Sequence, residues 1–186
     1  MHRLRYLLMA LGLLVACEKR TIVRKDNPNP DFLASSDGTL YFKNVRQIAY
    51  HRSQPKNLNM TIYTHKELPQ LKDKPQVWAY MAENWRFQEA YLMLESNEAF
   101  GDFVENWYAY SSRKDSSYHS FKAVRYHKPE FLRFADFVVS SFKEESPIYL
   151  IYPNGDSLKI FEQEAEKEAF RITLKDYKKW IAKSGN

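Results

Sequence analysis

Apolar and polar positions follow a helical period in one part of this chain. From Pro129 onward, apolar side chains recur every three or four residues, which is the spacing of one face of an α-helix. Pro129 suits the first turn because its missing N–H would have no partner there, and Pro147 lies just past the expected end. The pattern predicts a helix that packs on a sheet through a face carrying Phe131, Phe134, Ala135, Val138, Val139 and Phe142.

The segment after this helix has the pattern of a β-hairpin. Residues 148–152 are apolar on both faces, as in a central strand, and residues 158–161 are apolar again. Asn154-Gly155 stands between them, and Asn-Gly is the dipeptide most typical of a tight hairpin turn. We therefore predict two antiparallel strands joined at this turn.

Other short segments are rich in β-branched and aromatic residues, a composition that favours strands over helices. Loops with proline and charged residues separate several of them. The predicted strands cover residues 40–42, 45–50, 60–65, 103–110 and 120–126.

Residues 76–96 admit two interpretations, because they contain neither glycine nor proline. A single helix would align Trp78, Met81 and Trp85 on one face, and its alanine and glutamate content supports it. Two strands, 77–82 and 85–94, fit the aromatic content better and are our prediction.

The C-terminal part ends in a predicted helix. The glutamate-rich residues 162–168 are expected at the surface, as a turn or a strand edge, and residues 170–172 as a short strand. Thr173 is expected to cap a helix over residues 174–183. Together these patterns predict a single α+β domain with a mostly antiparallel sheet and about two helices packed on it.

The N-terminus has a pattern of its own. Arg3 and Arg5 precede an apolar run of about ten residues, whereas a membrane-spanning helix needs roughly 20. The run ends in Leu14-Val15-Ala16-Cys17, and Cys17 is the only cysteine. This arrangement resembles a bacterial lipoprotein signal peptide with its lipobox. The resemblance implies cleavage before Cys17 and attachment of a diacylglycerol and fatty acyl groups to that residue.

The resemblance also implies a location and a domain organisation. Residues 1–16 would be the signal peptide, residues 17–38 a lipidated N-terminus with a flexible tether, and residues 39–186 the globular domain. The protein would lie in a bacterial cell envelope, bound to the membrane through the lipid on Cys17. Glu18 follows the cysteine, instead of the Asp that retains enteric lipoproteins in the inner membrane, and this favours the outer membrane.

Charge and cysteine content narrow the classes of function. The chain has 28 basic and 23 acidic side chains, and the bases are interspersed with acids. A mild and dispersed excess of this kind does not indicate nucleic-acid binding. With Cys17 lipidated, no cysteine remains for a disulfide or a zinc–thiolate site. Stability must then come from a core that 12 Phe, 13 Tyr and 4 Trp can make strongly aromatic.

No motif in the sequence specifies a reaction. His51, His65, His119 and His127 match no metal-binding spacing, and no serine lies in a G-x-S-x-G motif. We therefore predict neither a metal site nor a cofactor. Several carboxylates lie among tryptophans and tyrosines, as in a glycosidase cleft, although an aromatic-cored sheet would produce the same pattern. They are Glu83, Glu89, Glu95, Asp102 and Glu105.

Three classes of function remain, and the sequence favours the first of them. The first is a non-enzymatic envelope protein that binds a protein partner or serves an assembly. The second is a glycan-binding module that uses exposed Trp78, Trp85 and Trp107 as stacking platforms. The third is a small envelope hydrolase. An apolar surface patch, several coplanar aromatic rings or a cleft with two carboxylates would distinguish them.

Overall fold

A computed structural model describes residues 30–56, 58–100, 106–112, 118–124, 128–151 and 155–182 of the chain. Its first sheet is an antiparallel meander in which each strand pairs with the next along the chain. The strands are β1 (Tyr50–Ser53), β2 (Thr61–His65), β3 (Val77–Asn84) and β4 (Glu89–Ser96). The prediction of two strands between residues 76 and 96 is therefore confirmed, but its bounds are wrong: the turn lies at residues 85–88 instead of 83–84, and the second strand begins at Glu89.

A second antiparallel sheet has the strand order β6-β5-β7-β8. Its central strands β5 and β7 pair directly, and the predicted hairpin of β7 and β8 is confirmed. Gly155 has a φ of +89°, the left-handed region that glycine enters without a steric penalty, whereas Asn154 lies outside the described residues. The strands are β5 (Asn106–Ser112), β6 (Tyr118–Val124), β7 (Ile148–Ile151) and β8 (Ser157–Ile160).

Helices join the two sheets into one α+β domain, the fold class that the sequence predicts. Helix α1 (Ser36–Tyr41) continues into a π-helical turn, Phe42–Arg46, and a 3-10 turn, Gln47–Ala49. Helix α2 (Lys128–Lys143) packs against β4 of the first sheet and β6 of the second. Helix α3 (Glu164–Ile181) packs against β3, β4 and α1. One hydrophobic core runs through both sheets, helices α2 and α3, and the π-helical turn that follows α1.

The strands predicted over residues 40–42 and 45–50 are wrong, because this segment is helical as far as Ala49. The Ser35 side chain accepts a hydrogen bond from the Gly38 amide at 3.0 Å and so caps the start of α1. One turn further on, the Phe42 ring stacks on the Trp180 ring with centroids 4.1 Å apart. Capping and a distant aromatic partner together override the local strand preference.

Helix α3 begins about ten residues earlier than predicted, so the turn or strand edge at residues 162–168 and the strand at residues 170–172 are wrong. The expected surface position holds for residues 162–165 and 168, which are exposed. Gln163 and Glu166 form a capping box, and acidic side chains in the first turn complement the helix dipole. Thr173 lies in the middle of the helix, where its hydroxyl donates to the Ala169 carbonyl at 2.8 Å. The charged segment is thus the start of a helix whose other face is buried.

The folded domain also begins earlier than residue 39. Residues Pro30–Phe32 form a 3-10 turn, and the buried Phe32 ring lies 5.4 Å from the Tyr91 ring. Leu33 pairs with Glu89 in an isolated β-bridge. Residues 30–38, assigned to the tether from the sequence, therefore belong to the domain. Among the described helices, none has the length and apolarity that a bilayer-spanning segment needs.

Candidate functional site

Trp78 and Trp85, the two proposed stacking platforms whose side chains are described, do not form one surface. Trp78 lies on the face of β3 that points away from the core, directly opposite Glu95 on β4. Trp85 is 61% exposed in the β3–β4 turn, seven residues and therefore roughly 20 Å further along the hairpin. Trp107 belongs to β5 in the second sheet, and its side chain is not among those described. Trp78 lines a pocket on the outer face of the first sheet.

The pocket beside Trp78 is open to solvent and has a volume of about 520 Å³. Its floor is the outer face of the first sheet, where Thr64, Trp78 and Glu95 lie on adjacent strands. Its wall is the loop between β2 and β3, which contributes Leu68 and Leu71. The pocket therefore combines an indole and aliphatic side chains with a few polar groups, as small-molecule sites commonly do.

Two buried or half-buried amides hold the wall of this pocket in place. The Gln76 side chain donates to the Pro69 carbonyl at 2.7 Å and accepts from the Leu71 amide at 3.3 Å. The Asn97 side chain donates to the carbonyls of Leu71 and Lys74 and accepts from the Gln76 amide at 2.9 Å. Side chains thus satisfy the backbone of a loop that has no strand partner, and they preorganise the pocket.

The position of Glu95 in this pocket changes the pKa of its carboxyl. Partial desolvation by the surrounding protein raises the pKa of its carboxyl above the ordinary value, although the residue as a whole is exposed. Glu98 lines the same pocket. A carboxyl with a raised pKa can accept a hydrogen bond from a ligand or, once protonated, donate one.

Of the other carboxylates that the sequence singled out, the two that are described do not join Glu95. Glu83 accepts hydrogen bonds from the Lys43 ammonium and, at 2.9 Å, from the Tyr63 hydroxyl. Glu89 is buried and accepts from the Tyr91 hydroxyl. Asp102 and Glu105 lie outside the described residues. Glu83 and Glu89 therefore serve the packing of the first sheet. Among the described residues, Glu95 and Glu98 are the carboxylates that line the pocket, and the sequence did not single out Glu98.

A second pocket, of about 620 Å³, lies between the end of α2, the β7–β8 hairpin and the start of α3. Its cations are already paired with acids. Arg171 and Lys167 both contact Glu164, at 3.0 and 3.1 Å, and Lys159 lies 3.9 Å from Glu162. Because these charges neutralise one another, the pocket offers no excess charge to a ligand.

A buried polar network connects the segment after α1 to α3. Asp176 accepts hydrogen bonds from the Arg46 guanidinium at 2.8 Å and from the Tyr50 hydroxyl at 2.7 Å. Burial, followed by the adjacent Asp176 charge, raises the pKa of Tyr50, so the hydroxyl stays protonated and donates. The network lies inside the fold, away from either pocket, and its role is to hold elements together.

The histidines do not assemble into a metal site in the described part of the chain, where no group of three or more His, Cys, Asp or Glu side chains could hold a metal ion. His65 is buried, its Nδ1 accepts from the Glu67 amide at 3.3 Å, and burial lowers its pKa. His51 is exposed on β1 and His119 belongs to β6, whereas His127 lies outside the described residues.

Sequence reasoning found Trp78 and Glu95 separately but did not place them together. The role of Gln76 and Asn97 in holding the pocket wall was missed, although two prolines and a polar composition at residues 68–75 indicated a loop. Cys17 lies outside the described residues, so its lipidation stays a prediction.

Comparison with protein-family models, curated proteins and solved structures found no match to this chain.

Proposed function

We propose that this protein is a non-enzymatic binding module of a bacterial cell envelope, anchored by a lipid on Cys17, and that the Trp78 pocket is its ligand site. The lipobox-like sequence before Cys17 supports the anchor. The ligand site rests on one observation: the Trp78 indole lies beside the Glu95 carboxyl in an open pocket with a preorganised wall.

A sugar unit of an envelope glycan is the ligand class that matches this chemistry. A sugar ring has a face of C–H groups that can stack on an indole, and hydroxyl groups around its edge. The Glu95 carboxyl and the Thr64 hydroxyl lie on the strands that flank Trp78, where they can bond such an edge. The pocket volume of about 520 Å³ lies within the range of ordinary ligand sites.

The anchor is tested by growing cells with an alkyne-bearing fatty acid and comparing the natural chain with Cys17→Ser. We expect label on the natural chain and none on the variant, which should also lose its partition into detergent. Unchanged processing and partitioning of Cys17→Ser would refute the anchor.

The pocket is tested by titrating the full-length protein in detergent with soluble cell-wall and surface-glycan fragments, followed by calorimetry. Trp78→Ala should weaken binding by about 2 kcal/mol, or roughly 30-fold, because it removes the central aromatic contact. Trp85→Ala is the matched control, since it removes an exposed indole outside the pocket. Binding that survives Trp78→Ala, or that falls equally in both variants, would contradict the proposed site.

A hydrolase is the second candidate function, and the raised pKa of Glu95 in a pocket shared with Glu98 favours it. A protonated carboxyl can act as a general acid toward a glycosidic oxygen, with a second carboxylate nearby. Released reducing ends from the same fragments, abolished in Glu95→Gln without loss of binding, would establish this function in place of simple binding.

A further inference from the structure

The segment from Leu40 to Ile48 exposes three large apolar side chains to solvent. Leu40 is 64% exposed, Val45 53% and Ile48 81%, and we call these three residues the apolar ridge. Of the five large apolar side chains that are exposed in the described part of the chain, three belong to this ridge. They lie within about 12 Å along the axis of one helical segment. Such a concentration marks an interaction surface.

The fold holds the apolar ridge in place. Phe42 within the segment and Gly38 just before it are buried, and the Phe42 ring stacks on the Trp180 ring of α3. The Ser35 amide also donates to the Trp180 carbonyl at 3.0 Å. Turning the ridge inward would expose the Phe42 ring and break these contacts. The ridge is therefore a permanent part of the surface.

Cations lie beside the apolar ridge. Lys179 on α3 places its ammonium 3.5 Å from the centroid of the Tyr41 ring, in the same segment as the ridge. Lys175 lies one turn earlier on α3 and is exposed. Within the described residues, neither lysine forms an ion pair, whereas Arg46 is paired with Asp176. An apolar strip flanked by unpaired lysines is the combination that binds the interface of an anionic bilayer.

The position of the ridge in the chain brings it close to the proposed anchor. Thirteen residue steps separate Cys17 from Pro30, where the described structure begins, and even a fully extended chain of that length spans only about 45 Å. The anchor therefore keeps the domain at a high local concentration beside the membrane, where weak contacts are populated.

We infer that the apolar ridge docks on the bilayer that carries the lipid of Cys17, with Lys175 and Lys179 at anionic headgroups; this inference rests on the proposed anchor. Docking would orient the domain on the membrane. A protein partner or a second copy of the chain is the competing occupant of the ridge.

The test uses the lipidated protein in vesicles of phosphatidylcholine and phosphatidylglycerol. Lipid blocks the thiol of Cys17, so the thiol of Ile48→Cys can be labelled with an environment-sensitive fluorophore. Leu58→Cys is the matched control, because Leu58 is also exposed, at 52%. It lies in the β1–β2 loop after the last residue of β1, whereas Ile48 lies before the first. We expect blue-shifted emission and at least twofold quenching by brominated lipid at position 48, little change at position 58, and weaker quenching without phosphatidylglycerol.

Each other outcome overturns a definite statement. If the natural chain itself takes up the thiol label and lacks the mass of the lipid, the anchor is wrong, and the inference fails with it. If the chain is lipidated and floats with the vesicles, but brominated lipid quenches the labels at positions 48 and 58 equally, the anchor stands and the docking is wrong. A blue shift at position 48 in detergent alone that grows with protein concentration would assign the ridge to a second copy.

Discussion

Gly38 is the position where α1 lies closest to the C-terminal end of α3. A methyl group on its Cα would lie 2.3 Å from the Trp180 carbonyl oxygen, 2.6 Å from the Lys179 carbonyl oxygen and 2.6 Å from the Ser35 Oγ. Two of these three atoms are backbone atoms inside a helix, so they cannot turn away as a side chain would. Gly38→Ala must therefore push α1 and α3 apart by about 1 Å to restore ordinary contact distances.

The cost of this change follows from the contacts that would be displaced. Overpacking of this kind costs about 1–3 kcal/mol. The movement also weakens the hydrogen bonds from the Ser35 amide to the Trp180 carbonyl and from the Gly38 amide to Ser35, each worth about 1 kcal/mol. Alanine returns about 1 kcal/mol through its higher helix propensity. We expect Gly38→Ala to lower the free energy of unfolding by about 2–4 kcal/mol.

Urea denaturation followed by tryptophan fluorescence measures this loss. With a slope of about 2 kcal/mol per molar urea, the midpoint should fall by about 1–2 M. Ser36→Ala places the same residue in the same helix at an exposed position, and it should change stability by no more than about 0.5 kcal/mol. If Gly38→Ala proves neutral or stabilising, helix propensity dominates and the close approach described here is wrong.

Three further changes test other parts of the structure. Burial lowers the pKa of His65, so the unfolded chain binds a proton more readily than the folded chain. The free energy of unfolding should therefore fall as the pH drops below about 6.5, by no more than about 1.4 kcal/mol per pH unit. In urea titrations between pH 5 and 7, His65→Gln should remove this part of the pH dependence. Tyr50→Phe removes the hydroxyl that donates to the buried Asp176 carboxylate and should cost about 2 kcal/mol in the same assay. Asn97→Ala removes the amide that holds the pocket wall; hydrogen exchange at residues 71–76 should quicken at least tenfold, and glycan affinity should fall.

Each of these changes has a control. If the free energies of unfolding of the natural chain and of His65→Gln differ by the same amount at every pH, the lowered pKa assigned to His65 is wrong. Tyr149→Phe removes a hydroxyl that forms no hydrogen bond within the described residues, and it should leave stability nearly unchanged. Asn44→Ala changes an exposed asparagine far from the pocket; if it quickens exchange at the wall as much as Asn97→Ala does, the amide has no special role there.

The sequence alone predicted those elements whose signal is local. The apolar stripe of α2 and the pattern of the β7–β8 hairpin each lie within one segment, and both elements lie close to their predicted positions. Trp78 and Glu95 were recognised as residue types that suit a binding site. The class of fold followed from the sum of such local signals.

Only the tertiary structure decided how distant segments change one another. Residues 40–49 are helical because Phe42 stacks on Trp180 near the other end of the chain, and no pattern within the segment contains that partner. Trp78 and Glu95 became neighbours because the turn at residues 85–88 sets the register of β3 and β4, and a shift of one residue would turn Glu95 toward the core. Burial energy depends on which surfaces meet, and this information is distributed over the whole chain.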